Sequence, residues 1–255
     1  MSAEPSLGGR TAIVTGSGRN IGRAIALAFA RQGANVVING HSDAALLESV
    51  ATEARALGAQ AMTALADVGD VGAVKAMVDA AAECFGSVDI AVSNVSVRLH
   101  QPLLDISVDD WQRVLNTNLS SAFYLARACL PHMVTRQWGR IIHISGRDGF
   151  FPKANRAHNV TCKAGTYALA KAIALEFGQH GITANAVAPG IVETSRDLAH
   201  YPDAAQGFEA RRKAMPMQRF GDVDDIAGAC TYLCSQAGGY MTGQILHVNG
   251  GEFMF

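Results

Sequence analysis

A chain of 255 residues has room for one large domain or two small ones, and a single α/β unit of this length is the expectation. Hydrophobic residues are 49% and charged residues 17%, below the ~25% usual for soluble domains; this argues against disorder and points to surface covered by other subunits. A net charge of −1 with no polybasic run argues against nucleic acid or a membrane surface as partner.

The first strand is predicted at 11–15 (TAIVT), followed by a helix near 20–32, a second strand at 35–39 (NVVIN) and a helix near 42–57. Further strands are predicted at 61–65 (AMTAL), 88–94 (VDIAVSN), 140–145 (RIIHIS), 183–188 (TANAVA) and 245–249 (ILHVN), with helical segments between them. Strands this apolar, each separated from the next by a helix, imply parallel pairing with both faces covered, because parallel neighbours need crossover connections. The expectation is therefore a doubly wound, seven-stranded parallel sheet in an α/β/α sandwich. No repeat, low-complexity tract or Pro/Ser linker divides the chain, so residues 1–255 are expected to form one domain.

Cys84, Cys129, Cys162, Cys230 and Cys234 form no CxxC pair and are odd in number, which suits a reduced cytoplasm. Cys230 and Cys234 lie four apart without further ligands at metal spacing, so packed thiols are expected and no metal. The opening MSAEPSLGGR lacks the basic and apolar regions of a secretory leader, and no apolar stretch reaches the ~18 residues of a membrane span.

TGSGRNIG (15–22) follows the first strand and opens the first helix, the context in which a glycine turn binds a dinucleotide. Gly16 permits the sharp turn, Gly22 lets the helix approach the sheet, and the free amides at the helix start can hold a pyrophosphate. A carboxylate at the end of the second strand would hold both ribose hydroxyls and repel a 2′-phosphate. Here the segment is Asn39-Gly40-His41-Ser42, with Arg19 inside the turn, so NADP(H) is preferred and NAD(H) stays possible.

The remaining motifs fall in order along the chain: Asp67-Val68 after the third strand, Ser93-Asn94-Val95-Ser96 after the fourth, Asn118 in NTNLSSAF, Pro189-Gly190-Ile191 with Thr194, then RFGDVDDIA (219–227) and TGQILHVNGG (242–251). From Thr15 to Gly251 the chain resembles the short-chain dehydrogenase/reductase family, in its 3-oxoacyl-reductase-like form. The resemblance implies a Rossmann-type fold and a dinucleotide held by Gly16, Ser17, Arg19, Asn20, Ile21, Gly22, His41, Ser42, Asp67, Val68, Asn94, Lys163, Pro189, Gly190, Ile191 and Thr194. Asn118 matches the family's catalytic asparagine, and Asn20 stands where that turn has its middle glycine.

The family's Tyr-x-x-x-Lys turn reads here Asn159-Val160-Thr161-Cys162-Lys163, so the lysine is present and the tyrosine is not. Its serine aligns with Gly146, and the register is supported by 28 residues from Asn118 to Gly146 and 30 from Asn159 to Pro189. Tyr167-Ala-Leu-Ala-Lys171 spells the motif literally but begins eight residues late, which is about 80° of rotation and ~12 Å of rise along a helix. Asn118, Asn159 and Lys163 are thus the catalytic candidates, with an amide facing the nicotinamide in place of a phenol. An amide has no exchangeable acid near neutral pH, so the proton must come from elsewhere or hydride transfer is absent. Cys162, His158, His143, Arg147 and Asp148 are all open as substitutes.

Gly146, Arg147, His158 and Arg98 are expected at the substrate pocket. Arg98, His100, Lys153 and Arg156 can converge at its mouth, so an anionic small-molecule substrate and simple solvated loop charges are both open. Residues 195–215 resemble the family's substrate lid. An NADP(H)-dependent oxidoreductase acting on a small carbonyl, alcohol or related unsaturated group is the leading expectation; a nucleotide-binding homologue without dehydrogenase activity (a sensor, a partner subunit, or a non-redox lyase or hydrolase) is its rival. By resemblance a homotetramer or homodimer is expected, joined through the alanine-rich helices near 117–137 and 156–179.

Overall fold

The computed structural model describes residues 6–195 and 208–254. Its seven strands are β1 (Thr11–Val14), β2 (Asn35–Gly40), β3 (Ala61–Leu65), β4 (Ile90–Ser93), β5 (Gly139–Ile144), β6 (Ile182–Pro189) and β7 (Ile245–Val248). Every predicted strand is present, to within two residues at either end. All pair in parallel in the order β3-β2-β1-β4-β5-β6-β7. The order reverses between β1 and β4, so the loops leaving these neighbours diverge and open a crevice at their carboxyl ends.

Between the strands run α1 (Asn20–Arg31), α2 (Ala44–Ala56), α3 (Val71–Phe85), α4 (Val108–Leu115), α5 (Ser121–Arg136), α6 (Ala157–Phe177), α7 (Phe208–Ala214) and α8 (Val223–Cys234). Alternation along the central strands sorts their side chains into two cores. Ala12, Val14, Val36, Ile38, Val92 and Ile142 pack against α1, α2 and α8, while Ile13, Val37, Ala91, Ile141 and Ala184 pack against α3, α5 and α6. Both faces are covered, which is why these strands are largely apolar rather than alternating apolar and polar.

Side chains cap the starts of four helices. Asp43 accepts from Leu46 N, Asp70 from Gly72 N and Ala73 N, Ser107 from Asp110 N, and Asp222 forms a capping box with Asp225. α1 begins at Arg19 with no side-chain cap, so its first-turn amides keep their donors for another partner. Among the described residues no helix is long and apolar enough to cross a membrane.

Candidate active site

At the end of β1 the chain turns at Gly16, whose φ of 62° is left-handed. A Cβ on Gly22 would stand 2.2 Å from the Gly16 carbonyl oxygen and 2.7 Å from Asn94 Nδ2, so α1 approaches the turn as closely as backbone allows. Asn94 Nδ2 donates to the Thr15 and Gly16 carbonyls at 3.1 and 3.2 Å, tying the end of β4 to the turn. Asn20 meets the demand of the missing glycine by adopting φ 51° itself, which asparagine tolerates better than most residues. Its amide oxygen then accepts from Ser195 N at 3.0 Å and Ser195 Oγ at 2.9 Å, and its Nδ2 donates to Ser195 O at 3.2 Å.

Over this turn opens a cavity of ≈ 990 Å³, large enough for a dinucleotide and a small substrate together. Arg19, Asn20 and Ile21 line it from the phosphate turn, Asn94 and Arg98 from beyond β4, Gly146, Arg147 and Asp148 from beyond β5, Lys163 from α6, and Pro189, Gly190, Ile191 and Thr194 from beyond β6. These residues come from four strand ends, as the crevice at the reversal of strand order requires. The free amides of α1, the glycine cradle and the Pro189–Thr194 wall suit a dinucleotide.

At the centre of this wall Lys163 is 6% exposed and donates from Nζ to the Ile144 carbonyl at 3.2 Å. Burial, with Arg98 next, pushes its ammonium down to about 8. A Cβ on Gly146 would meet only Lys163 Cε, at 3.9 Å, so the position aligned with the family's serine does look onto the lysine and is simply bare. Ser145 is no substitute: its hydroxyl is held by the Lys163 carbonyl at 3.1 Å and Thr166 Oγ1 at 3.0 Å.

The fate of the tyrosine position differs from expectation. Asn159 is fully buried and does not line the cavity; its Nδ2 donates to Asp148 Oδ2 at 3.1 Å, where Arg156 also donates at 3.1 Å. An asparagine side chain is too short to pass the 147–149 turn, so a carboxylate stands in front of the amide. Asp148 is itself 7% exposed and lines the cavity, and its Oδ1 makes no hydrogen bond with any described residue. Tyr167 lies outside the cavity lining. It stacks on Phe150 with centroids 4.6 Å apart, and its hydroxyl donates to the Gly146 carbonyl at 2.6 Å, fixing the backbone from behind.

Several other expected site residues are placed differently. Asn118 sits in a π-helical turn, Asn116–Ser120, that leads into α5; its amide is 7% exposed and bonds both ways to the Val97 backbone at 2.7 Å, so it braces the loop that carries Arg98. Ser17 is fully buried, donating to Val14 O and accepting from Asn39 N, and is structural rather than cofactor-facing. His158 is fully buried outside the cavity lining, its Nδ1 accepting from Asn159 N at 2.8 Å. His41, Ser42, Asp67 and Val68 lie beyond the lining at the ends of β2 and β3, with His41 Nε2 3.8 Å from Asp67 Oδ2. Of the open substitutes, Cys162 is buried with its thiol pushed up to about 11 by burial, and burial holds His143 down to about 4; neither is a proton source near neutral pH. Sequence reasoning passed over Asn39, whose Oδ1 accepts from Gly16 N and whose Nδ2 donates to Ala64 O and Ala66 O, locking the turn to β3. Within the proposed lid, residues 196–207 lie outside the described residues.

The geometry agrees with what the chain is similar to. A family model described as enoyl-(acyl carrier protein) reductase matches residues 16–252. The 3-oxoacyl-(acyl-carrier-protein) reductase FabG of Staphylococcus aureus is 36% identical over 245 residues, covering 96% of this chain and 98% of that protein. The (2S)-[(R)-hydroxy(phenyl)methyl]succinyl-CoA dehydrogenase subunit BbsD of Thauera aromatica is 37% identical over 246 residues, covering 96% and 97%. Among solved structures, a short chain dehydrogenase from Burkholderia cenocepacia J2315 in complex with NADP superposes with a TM-score of 0.88 at 31% identity, covering 97% of this chain and 99% of that one. The dinucleotide crevice, the lysine beside it and these likenesses over nearly the full length lead to one conclusion: the chain belongs to the short-chain dehydrogenase/reductase family of oxidoreductases.

Proposed function

We propose that this protein is an NADP(H)-dependent oxidoreductase of small alcohols and carbonyls in which Asp148 replaces the family's phenol as the proton-carrying group. The observation that supports it is the carboxylate in the cavity wall, held at Oδ2 by Arg156 and Asn159 and free at Oδ1. When bound, the nicotinamide accepts or supplies the hydride. Asp148 takes the hydroxyl proton as an alcohol is oxidised and returns it as a carbonyl is reduced, while the Asn159 amide holds the carboxylate in its rotamer. Lys163, with no phenol between it and the cavity, binds the nicotinamide ribose. Gly146 leaves the substrate oxygen room to approach.

Choice of NADP(H) over NAD(H) is supported by Arg19 in the cavity lining and by Gly40 and His41 where a ribose-binding carboxylate would stand. The five cysteines are unpaired, in keeping with a cytoplasmic setting. A second copy of this chain is the proposed partner at the α5–α6 face, where Phe123, Leu130, Pro131, Leu169 and Phe177 line an apolar groove and Phe123 and Leu175 are exposed.

The test combines binding with turnover. NADPH binding is followed by its fluorescence, and absorbance at the nicotinamide band is followed against a panel of carbonyls. Asp148→Asn is expected to keep NADPH binding and lose about 10²–10⁴-fold in turnover, the range of a general acid. Turnover that survives this exchange refutes the role of Asp148. Bound NADPH with no turnover by the unaltered protein favours the non-redox, nucleotide-binding rival.

A further inference from the structure

We propose that the substrate end of this cavity is a subsite for an oxyanion, a carboxylate or a phosphate ester carried on the same skeleton as the reacting oxygen. The inference rests on the oxidoreductase reading and names the substrate class for that site. Six basic side chains, Arg98, Arg113, Arg147, Lys153, Arg156 and Arg211, line the cavity from elements other than the phosphate turn. Four of them have carboxylate partners: Arg113 pairs with Asp110, Arg156 with Asp148, and Arg147 with Glu252, which also lies 3.9 Å from Arg211.

Arg98 and Lys153 have no ion-pair partner among the described residues. The Nε of Arg98 is buried without a hydrogen-bond partner, although a buried donor left unmade costs free energy. Lys153, exposed beyond β5, lines the same cavity. Partial burial there, with Arg147, Arg211 and Arg156 crowding it, pushes its ammonium down. Cations gathered this way repel one another until an anion enters, and a planar guanidinium offers a fork that matches two oxygens of a carboxylate or phosphate. Arg98 lies beyond β4 and Lys153 beyond β5, whereas the pyrophosphate cradle is at α1. The two anion sites therefore belong to different elements and fill independently.

The test titrates the NADPH-saturated protein by calorimetry with succinate, with glycerol 3-phosphate, and with succinamide as the uncharged match. The expected result is binding of one or both anions and none of the diamide, the two anions telling a carboxylate from a phosphate preference. Arg98→Gln and Lys153→Gln should each weaken the anion by about tenfold, and NADPH fluorescence in the same variants shows that the cavity is still formed. Binding of neither anion, equal binding of the diamide, indifference to both substitutions, or anion binding that NADPH abolishes would each overturn the subsite. Anion binding without hydride transfer to any partner of the panel retains the subsite and refutes the oxidoreductase reading instead.

Discussion

Lys163→Met in the cofactor-free protein separates the functional cost of the lysine from its structural contribution. Burial lowers the lysine from 10.5 to about 8, and a shift of that size corresponds to ~3 kcal/mol spent on keeping the ammonium charged in the folded state at pH 7. The sign follows from the depressed value. The unfolded chain binds more protons than the folded one between about 8 and 10.5, so stability rises with pH across that window and the penalty is full below it. Methionine removes the penalty but leaves the Ile144 carbonyl without its 3.2 Å donor, a loss of ~1–2 kcal/mol. The variant should therefore be more stable than the parent by about 1–2 kcal/mol at pH 7 and less stable by a similar amount near pH 10.5. Urea unfolding at the two pH values reads both differences. A variant that is less stable by the same margin at both would show that the lysine carries no desolvation cost, and the reasoning fails. NADPH affinity should fall in the same variant if the lysine holds the nicotinamide ribose as proposed.

His143 is fully buried in β5 with neither ring nitrogen bonded, and burial lowers it from 6.5 to about 4. Its contribution is fully present above pH 6.5 and is lost as pH falls toward 4, about 2 kcal/mol of it between pH 7 and pH 5; His143→Leu should flatten that part of the acid dependence measured by urea unfolding. At the α5–α6 face proposed for a second copy, Phe123→Glu with Leu175→Glu should lower the sedimentation coefficient while leaving far-UV circular dichroism unchanged, and an unchanged sedimentation coefficient would refute that face as an interface.

The sheet was legible because buried parallel strands advertise themselves. NVVIN and RIIHI carry apolar β-branched cores, Val36-Val37-Ile38 and Ile141-Ile142, and the helix between successive strands favours parallel pairing. The glycine turn was legible for a similar reason: Gly16 and Gly22 answer to local backbone geometry, which sequence encodes directly. Ser17 and Asn118 were read as functional, and their side chains bond to neighbouring backbone. Whether a hydroxyl or amide faces a ligand or a neighbouring strand depends on contacts from Val14, Asn39 and Val97, which no spacing within the motif reveals. His158 likewise lies buried outside the cavity lining, its Nδ1 accepting from Asn159 N.

The two departures from the family's pattern are physically one change. A phenol at 159 would reach the cavity from α6, across the space that Asp148 fills; asparagine stops short, and its amide meets the carboxylate instead. The turn that delivers Asp148 lies flat on α6 because Gly149 has no side chain: a Cβ there would stand 2.6 Å from Tyr167 Cε2. Tyr167 in turn grips the Gly146 carbonyl, so the tyrosine that spells the motif out of register holds the bare backbone that leads into the turn carrying Asp148. In the proposed relay the proton-carrying group moves from the helix to the turn after β5, while Lys163 keeps the position of the family's lysine in the cavity wall. A return to serine and tyrosine by Gly146→Ser/Asn159→Tyr consequently requires Asp148 to give way, and the three positions must be exchanged together.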